Sequence, residues 1–268
     1  MDLQAGRFVD LHNHVVPGVD GGSPSLVETI RSLRAFRSEG VGVVAVTPHL
    51  DPARHAGTWA LRRRLDELQA SYEMVCDAAA GRLHMPALTF SQEVHARDAD
   101  AVRRVVEDPR VGVGGGRFVL VEFDAELAGE PLKTIRTVRA AGREILVAHP
   151  ERYHFPWSPD PLDTLRRWVD AGAWLQVSLG SLTDGGGPYG EGAERLAWSL
   201  LGEGMVHALA SDHLGGARPQ ILHRAVARRL AAHGGGAQAL QLLAGNPRRI
   251  VGDRLPEPVP PLRAAVPA

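Results

Sequence analysis

The chain has 268 residues, a size that fits one large α/β domain, and no linker-like change of composition precedes its C-terminal end. Its net charge of -1 gives no electrostatic reason to expect binding to nucleic acid or to an anionic membrane. No apolar run approaches the roughly 20 residues that span a bilayer. A single cysteine excludes an internal disulfide and a thiolate metal cluster, so any metal ligands must be nitrogen or oxygen atoms. The first residues lack the basic and apolar regions of a signal peptide, and we expect a cytoplasmic protein.

Short β-type runs alternate with amphipathic runs along the chain. Runs rich in Val, Leu, Ile or aromatic residues predict seven strands, near residues 8–11, 42–47, 88–93, 117–122, 145–149, 174–178 and 206–211. The runs between them predict helices at 26–38, 58–80, 99–107, 132–141, 161–170, 191–201 and 221–232. Five prolines in residues 256–268 predict an extended tail, which leaves residues 1–255 as the folded domain.

The first predicted strand ends on two histidines, His12 and His14, separated by one residue. Alternate residues of a strand point to the same side, so both imidazoles can face one metal ion. Later predicted strands also end on residues of ligand type, namely His49, Glu93, Glu122, His149 and Asp212. This repetition indicates a metal site built from several strand ends.

Regular alternation of strands and helices predicts a parallel sheet covered by helices. Because the ligand-type residues all follow C-terminal strand ends, closure into a (β/α) barrel is favoured, since such barrels gather their active sites at that face. An open doubly wound sheet is the alternative. It would spread the ligands along a line rather than around one point.

The order of the motifs resembles the polymerase-and-histidinol-phosphatase (PHP) superfamily, and within it the capsule-type, manganese-dependent protein tyrosine phosphatases. The motifs that carry the resemblance include Asp10-Leu11-His12-Asn13-His14, Thr47-Pro48-His49, Gln92-Glu93-Val94, His149-Pro150-Glu151-Arg152-Tyr153 and Ala210-Ser211-Asp212-His213. The similarity covers roughly residues 8–252. It implies a distorted seven-stranded (β/α) barrel and hydrolysis of phosphotyrosine on a bacterial tyrosine autokinase linked to exopolysaccharide assembly.

The resemblance also implies the roles of individual residues. One metal ion would be held by His12, His14, Glu93 and Asp212, and a second by Glu93, Glu122 and His149, so that Glu93 bridges the two. Mixed carboxylates and imidazoles suit Mn, Fe or Zn better than Ca or Cu(I), and Mn is favoured. Arg152 and Arg218 would clamp the phosphate through paired guanidinium donors.

The chain departs from this pattern at a third metal site, where His49 would be a ligand. Relatives usually carry Asp-Asp-Gly where this chain has Asp20-Gly21-Gly22, and Ser-Asp-x-His where it has Ser211-Asp212-His213-Leu214. We therefore predict two firmly held metals and a weak or absent third. In an alternative alignment with one residue deleted, His213 serves as a ligand, and Asp20 can similarly substitute.

Other motifs receive structural interpretations. Cys76 and Arg82 match the C-x5-R spacing of cysteine-based phosphatases, but their segment continues a helical pattern and follows no strand. The glycine-rich residues 112–116 precede a strand and predict a loop.

Two alternative functions stay open: a PHP phosphoesterase that acts on a small molecule such as histidinol phosphate, and a weakly active metal-binding domain.

Overall fold

The computed structural model describes residues 6–127, 131–215 and 221–262. Within these ranges the strands are β1 (Phe8–Asp10), β2 (Val41–Val46), β3 (His49–Leu50), β4 (Ala87–Phe90), β5 (Glu93–His95), β6 (Phe118–Glu122), β7 (Glu144–Ala148), β8 (Ala173–Ser178) and β9 (Ala208–Ala210). The α-helices of the same ranges are α1 (Leu26–Ser38), α2 (Gly57–Ala79), α3 (Ala99–Arg103), α4 (Pro131–Ala140), α5 (Pro161–Asp170), α6 (Gly190–Gly202), α7 (His223–Ala232), α8 (Gly236–Leu240) and α9 (Asn246–Val251).

The fold is α/β with parallel sheets, as the alternation of elements predicts. One sheet has the order β1-β2-β4 and the other the order β3-β5-β6-β7-β8-β9, and every strand pair is parallel. Within each sheet the C-terminal strand ends therefore lie at one edge, and a parallel bridge between Asn13 and His213 gives the two sheets the same direction.

Two predicted strands are each followed by a break and a short second strand. The strand expected at 42–47 corresponds to β2, and β3 begins after Thr47 and Pro48; the strand expected at 88–93 divides into β4 and β5 around Ser91 and Gln92. Pro48 has no N–H to donate to a ladder, so pairing must be interrupted there. The chain direction survives the break, because the Ser91 N–H donates to the Val46 carbonyl at 3.0 Å and the Glu93 N–H donates to the Pro48 carbonyl at 3.1 Å.

Alternate residues of the strands enter two different apolar clusters. Phe118 and Leu120 of β6 belong to a smaller cluster with Val9, Leu146 and Ala210, and the members of this cluster are fully buried. The intervening residues belong to the larger cluster between the strands and the helices. Because both faces of these strands are buried, their sequences read as continuous apolar runs, which is typical of parallel sheets.

Hydrogen bonds join the first and last strands beyond their ends. The His14 N–H donates to the His213 carbonyl at 2.8 Å, and the Asp212 N–H donates to the His12 carbonyl at 2.9 Å. Asn13 and His213 form a parallel bridge at the same place. The outermost strands of the two sheets, β1 and β9, are thus connected where the ligand-type residues begin.

The helices largely follow their predicted limits, with one exception. The helix expected at 99–107 ends at Arg103, and residues 104–108 form turns. Pro109 disfavours helical geometry at Asp108, and the Asp108 side chain accepts from the Arg110 N–H at 3.0 Å, which starts a separate turn.

The residues of the predicted tail that the structure describes, 256–262, form no helix or strand. They nevertheless pack onto the domain, because Val259 and Leu262 are buried and the Leu262 N–H donates to the Leu201 carbonyl at 2.9 Å. Among the described helices, none is long and apolar enough to cross a bilayer.

Candidate metal centre

Seven residues of ligand type meet at the C-terminal side of the sheets. His12 and His14 follow β1, His149 follows β7 and Asp212 follows β9, while His49, Glu93 and Glu122 lie in β3, β5 and β6. The structure brings all seven within ion-pair distance of at least one other member.

Glu93 lies at the centre of this cluster, fully buried. Its Oε1 atom is 3.0 Å from His12 Nε2 and 3.3 Å from His149 Nε2. Its Oε2 atom is 3.3 Å from His14 Nε2 and 3.0 Å from His49 Nδ1. Each carboxylate oxygen therefore faces two imidazole nitrogens, which is the arrangement expected of a ligand shared between two sites.

The two remaining carboxylates, Asp212 and Glu122, lie close to different pairs of imidazoles. Asp212 Oδ1 is 3.3 Å from Nε2 of both His12 and His14. Glu122 Oε1 is 3.5 Å from His149 Nε2, and its Oε2 is 3.8 Å from His49 Nδ1. The cluster thus divides into a half that contains Asp212 and a half that contains Glu122.

Hydrogen bonds from outside the cluster orient two of the imidazoles. His12 Nδ1 is bonded to Gln176 Oε1 at 2.9 Å, and His14 Nδ1 donates to Asp20 Oδ2 at 3.0 Å. With Nδ1 engaged, each ring directs Nε2 towards Glu93. Carboxylate and amide partners of this kind fix the tautomer and ring orientation of metal-binding histidines.

The donor set fits divalent metal ions. The Nε2 atoms of His12 and His14 and both oxygens of Glu93 are buried, yet they form no hydrogen bond with any described residue. Two groups of ligand atoms, each within 4.8 Å of one another, share Glu93: one with His12 and His14, the other with His49 and Glu122. Buried acceptor atoms that converge without hydrogen bonds are costly unless a cation satisfies them.

The electrostatics of the cluster also favour positive charge around Glu93. Burial alone would lower the pKa of His12, but the charges of Glu93 and Asp212 outweigh it and raise this pKa to about 9. Burial would raise the pKa of Glu93, yet the neighbouring histidines hold it well below its ordinary value. The pKa of Glu122 is raised, first by burial and then by the charge of Glu93. A metal ion must displace protons from such imidazoles in order to bind.

The backbone is left-handed at two of the seven residues. His149 has a φ of 34° and Asp212 a φ of 49°, in a backbone region that residues other than glycine rarely adopt. Conformations of this kind cost free energy and persist where the surrounding structure fixes them, often at functional sites.

Arg152 reaches the edge of the cluster. Its guanidinium pairs with Asp212 Oδ2 and lies 4.3 Å from the centre of the Tyr189 ring. Tyr189 belongs to the glycine-rich turn after β8, and its hydroxyl lies 3.4 Å from Asp212 Oδ2. A partly exposed guanidinium stacked on a ring beside the cluster can receive a phosphate group. Arg218, the second predicted clamp, lies outside the described residues.

Residues 8–252 match the sequence profile of a family described as "Capsular polysaccharide synthesis, CpsB/CapC". The chain belongs to this CpsB/CapC family. The putative tyrosine-protein phosphatase CapC of Staphylococcus aureus is 27% identical over 208 residues, which are 76% of each chain. The tyrosine-protein phosphatase CpsB of Streptococcus pneumoniae is 24% identical over 259 residues, which are 92% of this chain and 100% of the relative.

Solved structures share the fold of this CpsB/CapC chain. One of them comes from a set described as "YwqE from Bacillus subtilis and CpsB from Streptococcus pneumoniae, unique metal-dependent tyrosine phosphatases". It superposes with a TM-score of 0.73 at 20% identity, and the match covers 94% of this chain and 98% of the other. The phosphotriesterase homology protein of Escherichia coli, complexed with phosphate, superposes with a TM-score of 0.54 at 13% identity, covering 92% and 99%.

Of the residues considered as ligands of a third metal in this CpsB/CapC structure, only His49 faces Glu93. Asp20 does not point at Glu93; its Oδ2 accepts from His14 Nδ1 and from the His49 N–H, both at 3.0 Å. His213 Nε2 is hydrogen-bonded to Ser32 Oγ of α1 at 2.8 Å, so that nitrogen faces away from the cluster. His49 is the most accessible of the clustered imidazoles, with 38% of its side chain exposed.

Sequence reasoning missed two residues of the site. Gln176 orients His12 from the middle of β8, where a glutamine in an apolar strand was the only clue. Tyr189, which contacts Arg152, follows the glycine-rich residues 184–188, and these come after the sixth predicted strand. Cys76 lies within α2, as its helical pattern predicts, and the glycine-rich residues 112–116 form turns before β6.

Proposed function

We propose that this CpsB/CapC chain is a metal-dependent phosphatase that hydrolyses phosphotyrosine in a protein substrate. The observation that carries the proposal is the position of Glu93, whose two oxygens are shared between two groups of ligand atoms. Relatives over most of the chain are named tyrosine-protein phosphatases, and the structural relatives of B. subtilis and S. pneumoniae are described as metal-dependent.

The metal assignment is part of the proposal. One ion would be held by His12, His14, Glu93 and Asp212, and the other by Glu93, Glu122 and His149. Bound as a pair, such ions activate a water molecule and neutralise phosphoryl oxygens. The mixed nitrogen and oxygen donors favour Mn, with Fe or Zn as alternatives, and a third ion near His49 would be weakly held.

Three side chains would act on the substrate, namely Arg152, Arg218 and His49. Arg152 offers paired donors to the phosphoryl oxygens while Asp212 and Tyr189 hold its guanidinium in place. Arg218 is proposed as the second clamp on the basis of the resemblance. His49 is the accessible imidazole of the cluster, and at this exposed position it can bind an ion or exchange a proton.

We further propose that the two sheets form one distorted seven-stranded (β/α) barrel within a domain of residues 1–255. In this description β2 with β3, and β4 with β5, each count as one interrupted strand. The bonds between the segments after β1 and β9, and the separate apolar cluster formed by alternate strand residues, support closure.

The tyrosine-bearing tail of a bacterial autokinase is the proposed substrate, and a cytoplasmic location goes with it. The family description, capsular polysaccharide synthesis, supports a role in exopolysaccharide assembly.

Metal content and turnover test the proposal together. Purified protein should contain divalent metal by mass spectrometry, and it should hydrolyse a phosphotyrosine peptide faster than histidinol phosphate. A chelator should abolish hydrolysis and Mn should restore it, while Cys76→Ser should leave the rate unchanged. Faster turnover of histidinol phosphate, or loss of activity in Cys76→Ser, would contradict the proposal.

A further inference from the structure

A long groove lies on the outer surface of the molecule, apart from the metal centre. It has a volume of about 830 Å³ and is bounded by α3, α4 and the segment from Trp157 into α5. Its lining includes residues from Pro131 to Ala141 at three- and four-residue steps, so one face of α4 forms its length. Ten helical residues extend about 15 Å, which matches four or five residues of an extended peptide.

The groove combines an apolar floor with a basic rim. Val106 and Trp168 are buried beneath it, while the Trp157 side chain stands at its edge, 55% exposed. Its described rim carries the cations Arg103, Lys133, Arg136 and Arg167 against the single carboxylate of Glu107. This excess of positive charge contrasts with the net charge of -1 of the whole chain.

The rim cations are only partly neutralised by other described residues. Arg103 and Lys133 approach the same exposed carboxylate, Asp100, at 3.1 and 3.9 Å. Within the described part of the chain, Arg136 and Arg167 have no ion pair, and both are exposed. An acidic ligand would therefore gain attraction at this rim without first displacing an internal partner.

The groove adjoins a second cavity near the end of β6. This smaller cavity, of about 200 Å³, shares Pro131 and Lys133 with the groove. It is also lined by Phe123 and Asp124, which directly follow Glu122. The groove and the strand end that carries Glu122 are thus lined by neighbouring cavities that meet at Pro131 and Lys133.

We infer that the groove between α3, α4 and α5 binds an acidic peptide segment that flanks the phosphotyrosine of the substrate. The inference rests on the proposed function for the identity of the substrate. The basic rim supplies the preference for Asp and Glu, and the exposed Trp157 with the apolar floor supplies contact area, as aromatic anchors do at protein interfaces. The short groove and apolar floor fit a peptide better than a nucleic acid or a membrane.

Steady-state kinetics with matched substrates test this inference. The substrates are para-nitrophenyl phosphate, which is too short to reach the groove, a phosphotyrosine peptide with four Glu residues on each side, and the same peptide with Gln in place of Glu. Wild-type protein should show a KM about fivefold lower for the Glu peptide, as expected for two or more exposed charge contacts. High salt should remove this difference.

The double variant Lys133→Glu with Arg136→Glu should lose the preference for the Glu peptide and keep its kcat and its rate on para-nitrophenyl phosphate. Arg34→Glu with Arg228→Glu is the matched control, because it makes the same charge change at exposed positions of α1 and α7. Trp157→Ala should raise the KM of both peptides. Equal KM values for the two peptides in wild-type protein, or an unchanged preference in the double variant, would overturn the inference while leaving the phosphatase proposal intact.

Binding measurements separate failure of the groove from failure of the enzyme. The anisotropy of a fluorescein-labelled Glu peptide with unphosphorylated tyrosine should rise on binding wild-type protein and much less with the double variant, even if no substrate is hydrolysed. Absence of binding to wild-type protein contradicts the inference. So does sedimentation in which Trp157→Ala converts a dimer into a monomer, because the groove would then be an interface between copies of this chain.

Discussion

Glu93 connects the two halves of the centre through one carboxylate. Its Oε1 atom faces His12 and His149, and its Oε2 atom faces His14 and His49. No other carboxylate of the cluster contacts four imidazoles, and a change at this position should therefore affect both proposed metals at once.

The variant Glu93→Gln should lose most of its bound metal, because an amide keeps the size of the side chain but not the charge that two ions share. Mass spectrometry should show a fall from about two ions per chain to well below one. Glu126→Gln, an exposed carboxylate, is the control and should retain its metal. Unchanged occupancy in Glu93→Gln would show that the site is assigned wrongly.

His207 illustrates a different consequence of burial, outside the centre. Its Nδ1 atom accepts from the Leu175 N–H at 3.1 Å, and burial lowers its pKa to about 4. The unfolded chain has a histidine pKa near 6.5, so between pH 6.5 and 4 the unfolded state binds a proton that the folded state does not. The free energy of unfolding should therefore fall as the pH falls through this window.

The decrease in the free energy of unfolding that is due to His207 should reach about 3 kcal/mol, because each unit of pKa difference contributes about 1.36 kcal/mol. His207→Asn keeps an acceptor for Leu175 but cannot be protonated, so its urea midpoint should depend less on pH than that of the wild type. His84→Asn, an exposed residue at a φ of 63° that asparagine tolerates, is the control. Parallel curves for wild type and His207→Asn between pH 7.5 and 4.5 would contradict this account.

At the scale of elements, helix limits could be predicted where the residues that begin a helix are recognisable in the sequence. Helices α1 and α5 have their predicted limits because the Ser25 and Asp160 caps, and Pro161 in the first turn, are visible in the sequence. The break at Gln92 and the groove beside α4 depend on how distant segments pack. Strand ends revealed seven candidate ligands, whereas Gln176 and Tyr189 act through contacts that no local pattern indicates.

The loops after β1 and β9 govern the proposed third metal. Gly21 has open space where a side chain would lie, since no atom comes within 4 Å of an added Cβ. Gly21→Asp combined with Leu214→His should raise the metal content from about two towards three ions per chain and increase the phosphatase rate. Each single variant should do much less, because one added ligand with His49 holds an ion weakly. Three tightly bound ions in the wild-type protein would instead favour Asp20 or His213 as ligands.

At the scale of the whole molecule, Asp10 links elements that are distant in sequence. This fully buried carboxylate accepts from the Asn13 side chain at 2.9 Å and from the Ser211 N–H at 2.8 Å, and it lies 3.2 Å from His223 Nε2 of α7. Burial would raise its pKa, but His223 and Asn13 hold it below the ordinary value. Since Asp212 follows Ser211, the Asp10 carboxylate fixes the connection between the first and last strands next to the proposed ligands His12 and Asp212.

Asp10→Ala should lower the free energy of unfolding by about 3–5 kcal/mol, because it leaves buried donors without an acceptor and His223 without its partner. Asp10→Asn should cost less, since the amide oxygen can still accept one of these bonds. Urea denaturation measures both, with Asp124→Ala, a partly exposed carboxylate, as the control. If the connection between β1 and β9 holds the proposed ligands in place, the Asp10→Asn protein should also bind Mn more weakly than wild type while remaining folded. A wild-type urea midpoint in Asp10→Ala would mean that the other bonds between β1 and β9 suffice to join the strands.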